Sequence, residues 1–305
     1  MNVLLATEKP FSAKAVEQIR SVVEKAGHTL LLLEKYTSRE QLLEAAAKAD
    51  ALIVRSDIVD ADLFKAAPSL KIVVRAGAGY DNIDLKAATA AGVIVENTPG
   101  QNANAVAELV IGLAIMAARN KYTGTTGFEI SGKRLGLQAF GHVSRHVAAL
   151  AKGFGMEICA IDPYCPAEVI EQAGVKPVSD LADLYANSDI VSIHIPATKE
   201  TAGSIGRDLI GRMPKGAVLI NTARKEVINE AELEEILAER TDLKYFADVK
   251  PGNADRLTEL FADRVFFTPK KSGAQTAEAN LNAGVAAAKQ IVAFFTDGTD
   301  RFRVN

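Results

Sequence analysis

Cysteine is scarce: the 305 residues hold only Cys159 and Cys165. Without Cys-x-x-Cys spacing, neither a disulfide framework nor a redox pair is expected, only two reduced thiols. Long apolar runs are missing too. The longest covers residues 109–118 between Glu108 and Arg119, about half of the ~20 residues that a membrane helix needs. The stretch Met1-Asn2-Val3-Leu4-Leu5-Ala6-Thr7 has no basic leader. It reads as a first strand rather than a signal peptide, which points to the cytoplasm. Positive charge shows no excess, since 35 Lys and Arg against 38 Asp and Glu leave a net charge of −3. The electrostatic footprint of a nucleic-acid binder is therefore absent. Internal repeats and low-complexity tracts are absent as well. What remains is a chain of 48% hydrophobic residues, long enough for two ordinary domains.

Short β-rich runs alternate with helical stretches almost from end to end. Residues 3–6, 30–33, 51–54, 72–74 and 93–95 read as five strands, with helical patterns over 13–26 and 39–49 between them. The turn cluster Asn97-Thr98-Pro99-Gly100 ends this series, and a long helix is expected over 103–119. A second series follows, with strands at 135–138, 157–161, 190–193, 217–220, 245–249 and 265–267. Its first helix, over 142–152, brings Val143, Val147, Leu150 and Ala151 to one face, with Phe154 just beyond. Such alternation predicts an α/β fold of two doubly wound parallel sheets. The last helix, about 276–295, is too long to be only a cap on the second sheet and is expected to return to the first. The expected domains are therefore 1–99 with 281–305, and an inserted 100–280.

The segment Gly136-Leu137-Gln138-Ala139-Phe140-Gly141-His142-Val143-Ser144 lies between a strand and a helix. A G-x-G-x-x-G dinucleotide fingerprint belongs there. Two of its three glycines are missing: Ala139 stands first, Gly141 in the middle and Ser144 last. The middle position is the one where a Cβ would keep the backbone from a pyrophosphate. Alanine in first place is expected to need only an ordinary φ, and Ser144 to add one small side chain at the helix–strand contact. The amides of His142 and Val143 open the helix towards the phosphates, where the helix dipole favours an anion. Asp162 ends the next strand, 21 residues beyond Gly141. A carboxylate there accepts from both ribose hydroxyls and repels a 2′-phosphate, which selects NAD over NADP. A turn or helix-cap role is the alternative for Asp162.

Longer motifs occur in a fixed order: Arg75-Ala76-Gly77-Ala78-Gly79-Tyr80-Asp81-Asn82-Ile83-Asp84, Asn97-Thr98-Pro99, Val106-Ala107-Glu108, His194-Ile195-Pro196, Ile220-Asn221-Thr222-Ala223-Arg224 and Thr268-Pro269. Through them the chain resembles the D-2-hydroxyacid dehydrogenase family over nearly its whole length. Within that family it is most similar to the short members that oxidise D-3-phosphoglycerate. Ending at Asn305, it is expected to lack the serine-sensing regulatory domain of longer members. The resemblance implies a Rossmann nucleotide-binding domain inserted into a flavodoxin-like substrate domain. It also implies NAD as cofactor, held by Ile195, Thr222, Ala223 and Asp248 besides Gly141, His142, Val143 and Asp162.

By the same resemblance, hydride leaves the substrate C2 while a base takes the C2 hydroxyl proton. Arg224 would bridge the substrate carboxylate and the C2 oxygen in a bidentate clamp. The family's histidine base follows Thr-Pro. Here Lys270 stands in its place, in a stretch Lys270-Lys271-Ser272-Gly273-Ala274 that is one residue longer than usual. The histidine's partner carboxylate falls on Asn253. These two changes belong together. A carboxylate raises a histidine towards working pH, whereas a lysine, near 10.4 when free, needs burial or cationic neighbours to bring it down. Lys271 and Arg224 are the candidate neighbours. Counting forward from Pro269 selects Lys270 as the general base, and counting back from Gly273 selects Lys271; the residue next to the strand end is the choice. Lys225 replaces the family's glycine and adds only positive charge. His194 has no second ligand near it in the pattern, so no metal is expected.

Substrate choice turns on the first domain. Arg55-Ser56 ends one strand and Arg75 the next, and in a parallel sheet both ends line one edge. Two guanidiniums there suit a dianionic phosphate, and the amides of Ala76, Gly77 and Ala78 suit a carboxylate. The expected substrate is thus a small phosphorylated hydroxy acid. Another acid, such as glycerate or hydroxypyruvate, and a catalytically silent NAD-binding sensor are the competing readings. The connection at 120–133 is shorter than the family's usual arm, and a homodimer through the 103–119 helix is expected.

Overall fold

The computed structural model describes residues 1–305. The first 102 residues alternate strand and helix: β1 (Asn2–Thr7), α1 (Ala13–Lys25), β2 (Thr29–Glu34), α2 (Arg39–Ala46), β3 (Ala51–Val54), α3 (Ala61–Ala66), β4 (Ile72–Arg75), α4 (Leu85–Ala90) and β5 (Ile94–Asn97). The helices start where the sequence offers caps. Ser12, Ser38, Asp60 and Asp84 each accept the N–H three residues on. The sheet is wholly parallel, in the order β2-β1-β3-β4-β5, which is the flavodoxin-like winding. Strand alternation sorts its two faces. Val3 and Leu5 join a core with Ala15, Ile19 and Val23 of α1, while Leu4 and Ala6 join Leu42 and Leu63 on the other side.

Residues 103–275 carry α5 (Ala103–Ala118), β6 (Arg134–Gln138), α6 (His142–Gly153), β7 (Glu157–Ile161), α7 (Ala167–Gln172), β8 (Lys176–Pro177), α8 (Leu181–Ala186), β9 (Ile190–Ile193), α9 (Arg207–Ile210), β10 (Val218–Asn221), α10 (Glu230–Glu239), β11 (Lys244–Ala247), α11 (Ala254–Phe261) and β12 (Val265–Phe267). Their parallel sheet has the order β12-β11-β10-β9-β6-β7-β8. The chain enters at β6 and winds outward both ways, so this is a Rossmann sheet with its switch point between β6 and β9. Ligands of such sheets sit beyond the C-terminal strand ends at that point. Helices α5 and α6 cover one face through Val110, Ala114, Val147 and Ala151; Leu184, Leu233 and Leu237 cover the other. Strand β8 has no counterpart in the sequence pattern, because it is only two residues long and ends in a proline.

The last helix, α12 (Ala277–Asp297), returns to the first sheet. It lies so close to α1 that a Cβ on Gly284 would stand 2.7 Å from Ile19 Cδ1. Ala283, Ala287, Ala288 and Ile291 complete that core. The two compact units are Met1–Asn102 with Thr276–Asn305, and Ala103–Gln275. The boundaries read from the sequence lie a few residues away, at 99/100 and 280/281. The shift at the second boundary has a local cause: Thr276 caps α12 by accepting the Ala279 N–H, so the helix start goes with the first unit. No helix is long and apolar enough to cross a membrane.

Candidate active site

The fingerprint turn joins β6 to α6. Ala139 there adopts φ 81°, in the left-handed region that favours glycine. The expectation of an ordinary φ is thus corrected. The Ala139 N–H is held by the Ile161 carbonyl at 2.8 Å, and from that fixed point the left-handed φ turns the chain towards α6. Gly141 is the N-cap of α6, with φ −81° and ψ −160° and no side-chain cap. Nothing of the protein lies within 4 Å of a Cβ built on it. Neither strain nor crowding requires glycine at this point, and the space beside the N–H groups of His142 and Val143 is open. Ser144 is fully buried and its hydroxyl has no partner. This small side chain is thus enclosed in α6 with one orphaned polar group.

Asp162 leaves β7 half-buried. Its Oδ2 accepts the Phe140 N–H at 2.7 Å and its Oδ1 accepts the Tyr164 N–H at 2.8 Å. The turn role is thus observed, and each carboxylate oxygen keeps a lone pair that a further donor can use. At the end of β9, the His194 N–H donates to the Gln138 carbonyl at 3.0 Å and its Nε2 lies 2.9 Å from Ser192 Oγ. Burial pushes this imidazole down to about 3, so it is neutral at working pH. Ile195 follows it.

The next three strands end side by side, with Asn221, Ala247 and Phe267 in register. Asn221 shapes the turn after β10: its Oδ1 accepts the Ala223 N–H and its Nδ2 donates to the Arg224 carbonyl, both at 2.9 Å. Thr222 Oγ1 is buried without a partner, the kind of polar group that a bound cofactor satisfies. Arg224 is half-buried beside it. Asp248 follows β11 and is 2% exposed. Lys270 and Lys271 follow β12 and are exposed. Asn253 turns to α10 instead, donating from Nδ2 to the Glu230 carbonyl at 3.2 Å while Glu230 holds the Gly252 N–H at 2.8 Å.

In the first unit, Arg55 and Arg75 leave adjacent strands, with Val54 opposite Arg75. Arg75 Nε donates to the Arg55 carbonyl at 2.9 Å, and the Arg75 guanidinium fills the space where a Gly77 side chain would stand. The Arg55 guanidinium lies 5.1 Å from the Phe11 ring centroid and donates to the Lys9 carbonyl at 3.0 Å and to Asn280 Oδ1 at 2.5 Å. Burial lowers its pKa. Ser56 is exposed next to it. Of the three amides expected to hold a carboxylate, two are engaged. The Ala76 N–H continues the ladder to the Val54 carbonyl and the Gly77 N–H turns back to the Arg75 carbonyl, both at 2.8 Å. Asn280 escaped the sequence reading, and no local signal marks it, because it meets Arg55 from 225 residues away.

Residues 108–270 match the domain described as D-isomer specific 2-hydroxyacid dehydrogenase, NAD binding domain. Over 272 residues the chain is 40% identical to a D-3-phosphoglycerate dehydrogenase of Methanocaldococcus jannaschii, a match covering 83% of this chain and 51% of that protein. It is 36% identical over 280 residues to a hydroxypyruvate reductase of Thermotoga maritima, covering 86% of this chain and 90% of that one. Among solved structures, the NAD+-bound 3-phosphoglycerate dehydrogenase of Entamoeba histolytica is 45% identical and superposes with a TM-score of 0.91, over 100% of this chain and 98% of that one. The chain spans about half the length of the curated phosphoglycerate dehydrogenases it matches.

Proposed function

The chain belongs to the D-2-hydroxyacid dehydrogenase family and carries its NAD-binding domain, and on that premise we propose that it oxidises D-3-phosphoglycerate to 3-phosphohydroxypyruvate, a step of serine biosynthesis. The observation that carries the reading is the pairing of Arg55 and Arg75 at neighbouring strand ends, tied by the 2.9 Å bond from Arg75 Nε to the Arg55 carbonyl. Two arginines on adjacent strand ends suit a dianionic phosphate and have no use with an uncharged substrate end. NAD, which Gly141, Asp162 and Thr222 would help to hold, would supply the hydride acceptor. The chain's own residues do the rest. Arg224 binds the carboxylate and the C2 oxygen, orienting C2 and polarising its bond to oxygen. Lys270, as a free amine, takes the hydroxyl proton as the C2 hydrogen departs with its electron pair, and a ketone remains.

A second reading, oxidation of glycerate or reduction of hydroxypyruvate, is favoured by the near full-length match to the Thermotoga maritima protein. The two separate in one experiment. Nicotinamide absorbance is followed with D-3-phosphoglycerate and with D-glycerate. A higher kcat/KM for the phosphorylated acid is expected, and the reverse order overturns the phosphate assignment. A homodimer through α5 belongs to the same reading. Tyr122 just beyond that helix is 62% exposed, over a hollow lined by Ile115, Arg119 and Phe128. Light scattering should give twice the chain mass.

A further inference from the structure

Asp248 is 2% exposed, and three donors from one loop converge on its carboxylate. The Thr268 hydroxyl at 2.8 Å and the Ser272 N–H at 2.6 Å reach Oδ1, and the Gly273 N–H at 2.8 Å reaches Oδ2. A further bond closes the turn, from Ser272 Oγ to the Lys270 carbonyl at 2.7 Å. Gly273 is where a side chain has no room. A Cβ there would stand 3.0 Å from Asp248 Oδ2 and 3.4 Å from Val106 Cγ2. Between the pinned residues Thr268 and Ser272 lie only Pro269, Lys270 and Lys271.

We propose that Asp248 is a positioning residue for proton transfer: by gripping the loop at Thr268, Ser272 and Gly273, its carboxylate sets the main chain from which Lys270 reaches the substrate. The proposal rests on the assignment of Lys270 as the base. An exposed lysine on a loose loop samples many positions, and a proton acceptor works only within hydrogen-bond reach of its proton. Bonds from N–H and O–H groups to a buried carboxylate are charge-assisted and confine the main chain to one course. The extra residue of this loop is thereby absorbed between two fixed points, and the residue next to Pro269 keeps its place.

Because Asp248 is also an expected cofactor contact, the test acts from the loop side. Thr268→Val keeps the side-chain shape and removes the hydroxyl. With NAD and D-3-phosphoglycerate (or D-glycerate, if that is the better substrate), it should lower kcat about tenfold or more, the scale of a misplaced catalytic group. NAD affinity measured by fluorescence titration should stay unchanged, and Thr268→Ser should restore kcat. Gly273→Ala, which crowds Oδ2, should act like Thr268→Val. In a Lys270→Ala background, Thr268→Val should cost little more, because the group being positioned is gone. Wild-type kcat in both loop variants, with Lys270→Ala inactive, overturns the clamp and leaves the lysine base standing. A full multiplicative loss in the double variant also overturns the clamp. Near-native turnover in Lys270→Ala removes the base assignment and the clamp with it.

Discussion

The Asp162 carboxylate accepts the main-chain N–H of Phe140 at 2.7 Å, across the turn that a pyrophosphate has to approach. One side chain thus braces the fingerprint turn, and on the proposed reading it also reads a ribose hydroxyl. Asp162→Ala should therefore do two things. It should relax the preference for NAD over NADP, since the charge that repels a 2′-phosphate is gone, and it should weaken both cofactors by loosening the turn. Steady-state kinetics with the two cofactors measure this. Equal use of NAD and NADP by the unmodified protein would show that Asp162 serves the turn alone.

Ala139 holds φ 81°, and left-handed backbone costs a residue with a Cβ roughly 1–2 kcal/mol. Ala139→Gly should recover part of this, a net gain of about 0.5–1 kcal/mol after the greater freedom of glycine in the unfolded chain is counted. Ser144→Ala removes a buried hydroxyl that has no partner and should add about 1 kcal/mol. Urea unfolding followed by circular dichroism reads both. A loss of stability in Ala139→Gly would mean that the turn relaxes without cost.

Arg55 and Arg75 carry the substrate assignment. Either change to alanine should weaken D-3-phosphoglycerate binding by roughly 1.5–3 kcal/mol, the scale of a hydrogen bond to a charged group. An unphosphorylated hydroxy acid should scarcely notice. Asn280→Ala, which removes the 2.5 Å acceptor of Arg55, should fall between wild type and Arg55→Ala. Equal losses for phosphorylated and unphosphorylated acids would refute a phosphate site.

His194 should contribute to the acid limb of stability. Burial pushes it down to about 3 from an ordinary 6.5. Below 6.5 the unfolded chain takes up a proton that the folded protein refuses, so stability falls as the pH drops from 6.5 towards 3. Between pH 7 and pH 5 this one group should remove up to about 2 kcal/mol. His194→Gln, which keeps a polar group for Ser192, should flatten that decline in urea titrations at the two pH values. An unchanged slope would assign the decline to other groups.

Lys270 is the assignment with most at stake. A lysine base has to lose its proton before it accepts one, so oxidation should climb with pH past neutrality. Lys270→Ala should cut turnover at least ~100-fold, the low end for a lost general base, with NAD affinity near normal. Lys271→Ala should cost less. Were Lys270→Ala to keep turnover and the pH profile, the base would be sought first at Lys271.

Much of this protein was legible along the chain, because periodicity is written locally. Strand β3 has the limits that its apolar run suggests, Ala51–Val54, and so do β7, β9 and β12. Gly141 caps the start of α6 and Asp162 follows β7, as the strand and helix pattern suggests. Hydrogen-bond partners are another matter. The Ala139 N–H meets the Ile161 carbonyl only because β6 and β7 end side by side, and the Ala76 amide is engaged because β3 and β4 run on together. Asn280 meets Arg55 only because α12 folds back over 225 residues. Asp248 holds the lysine loop because β11 and β12 end side by side. The sequence by itself determined which elements form and which chemical groups they carry, since both depend on near neighbours. Which donor meets which acceptor was decided only in the tertiary structure, where strand ends far apart in the chain arrive at the same edge.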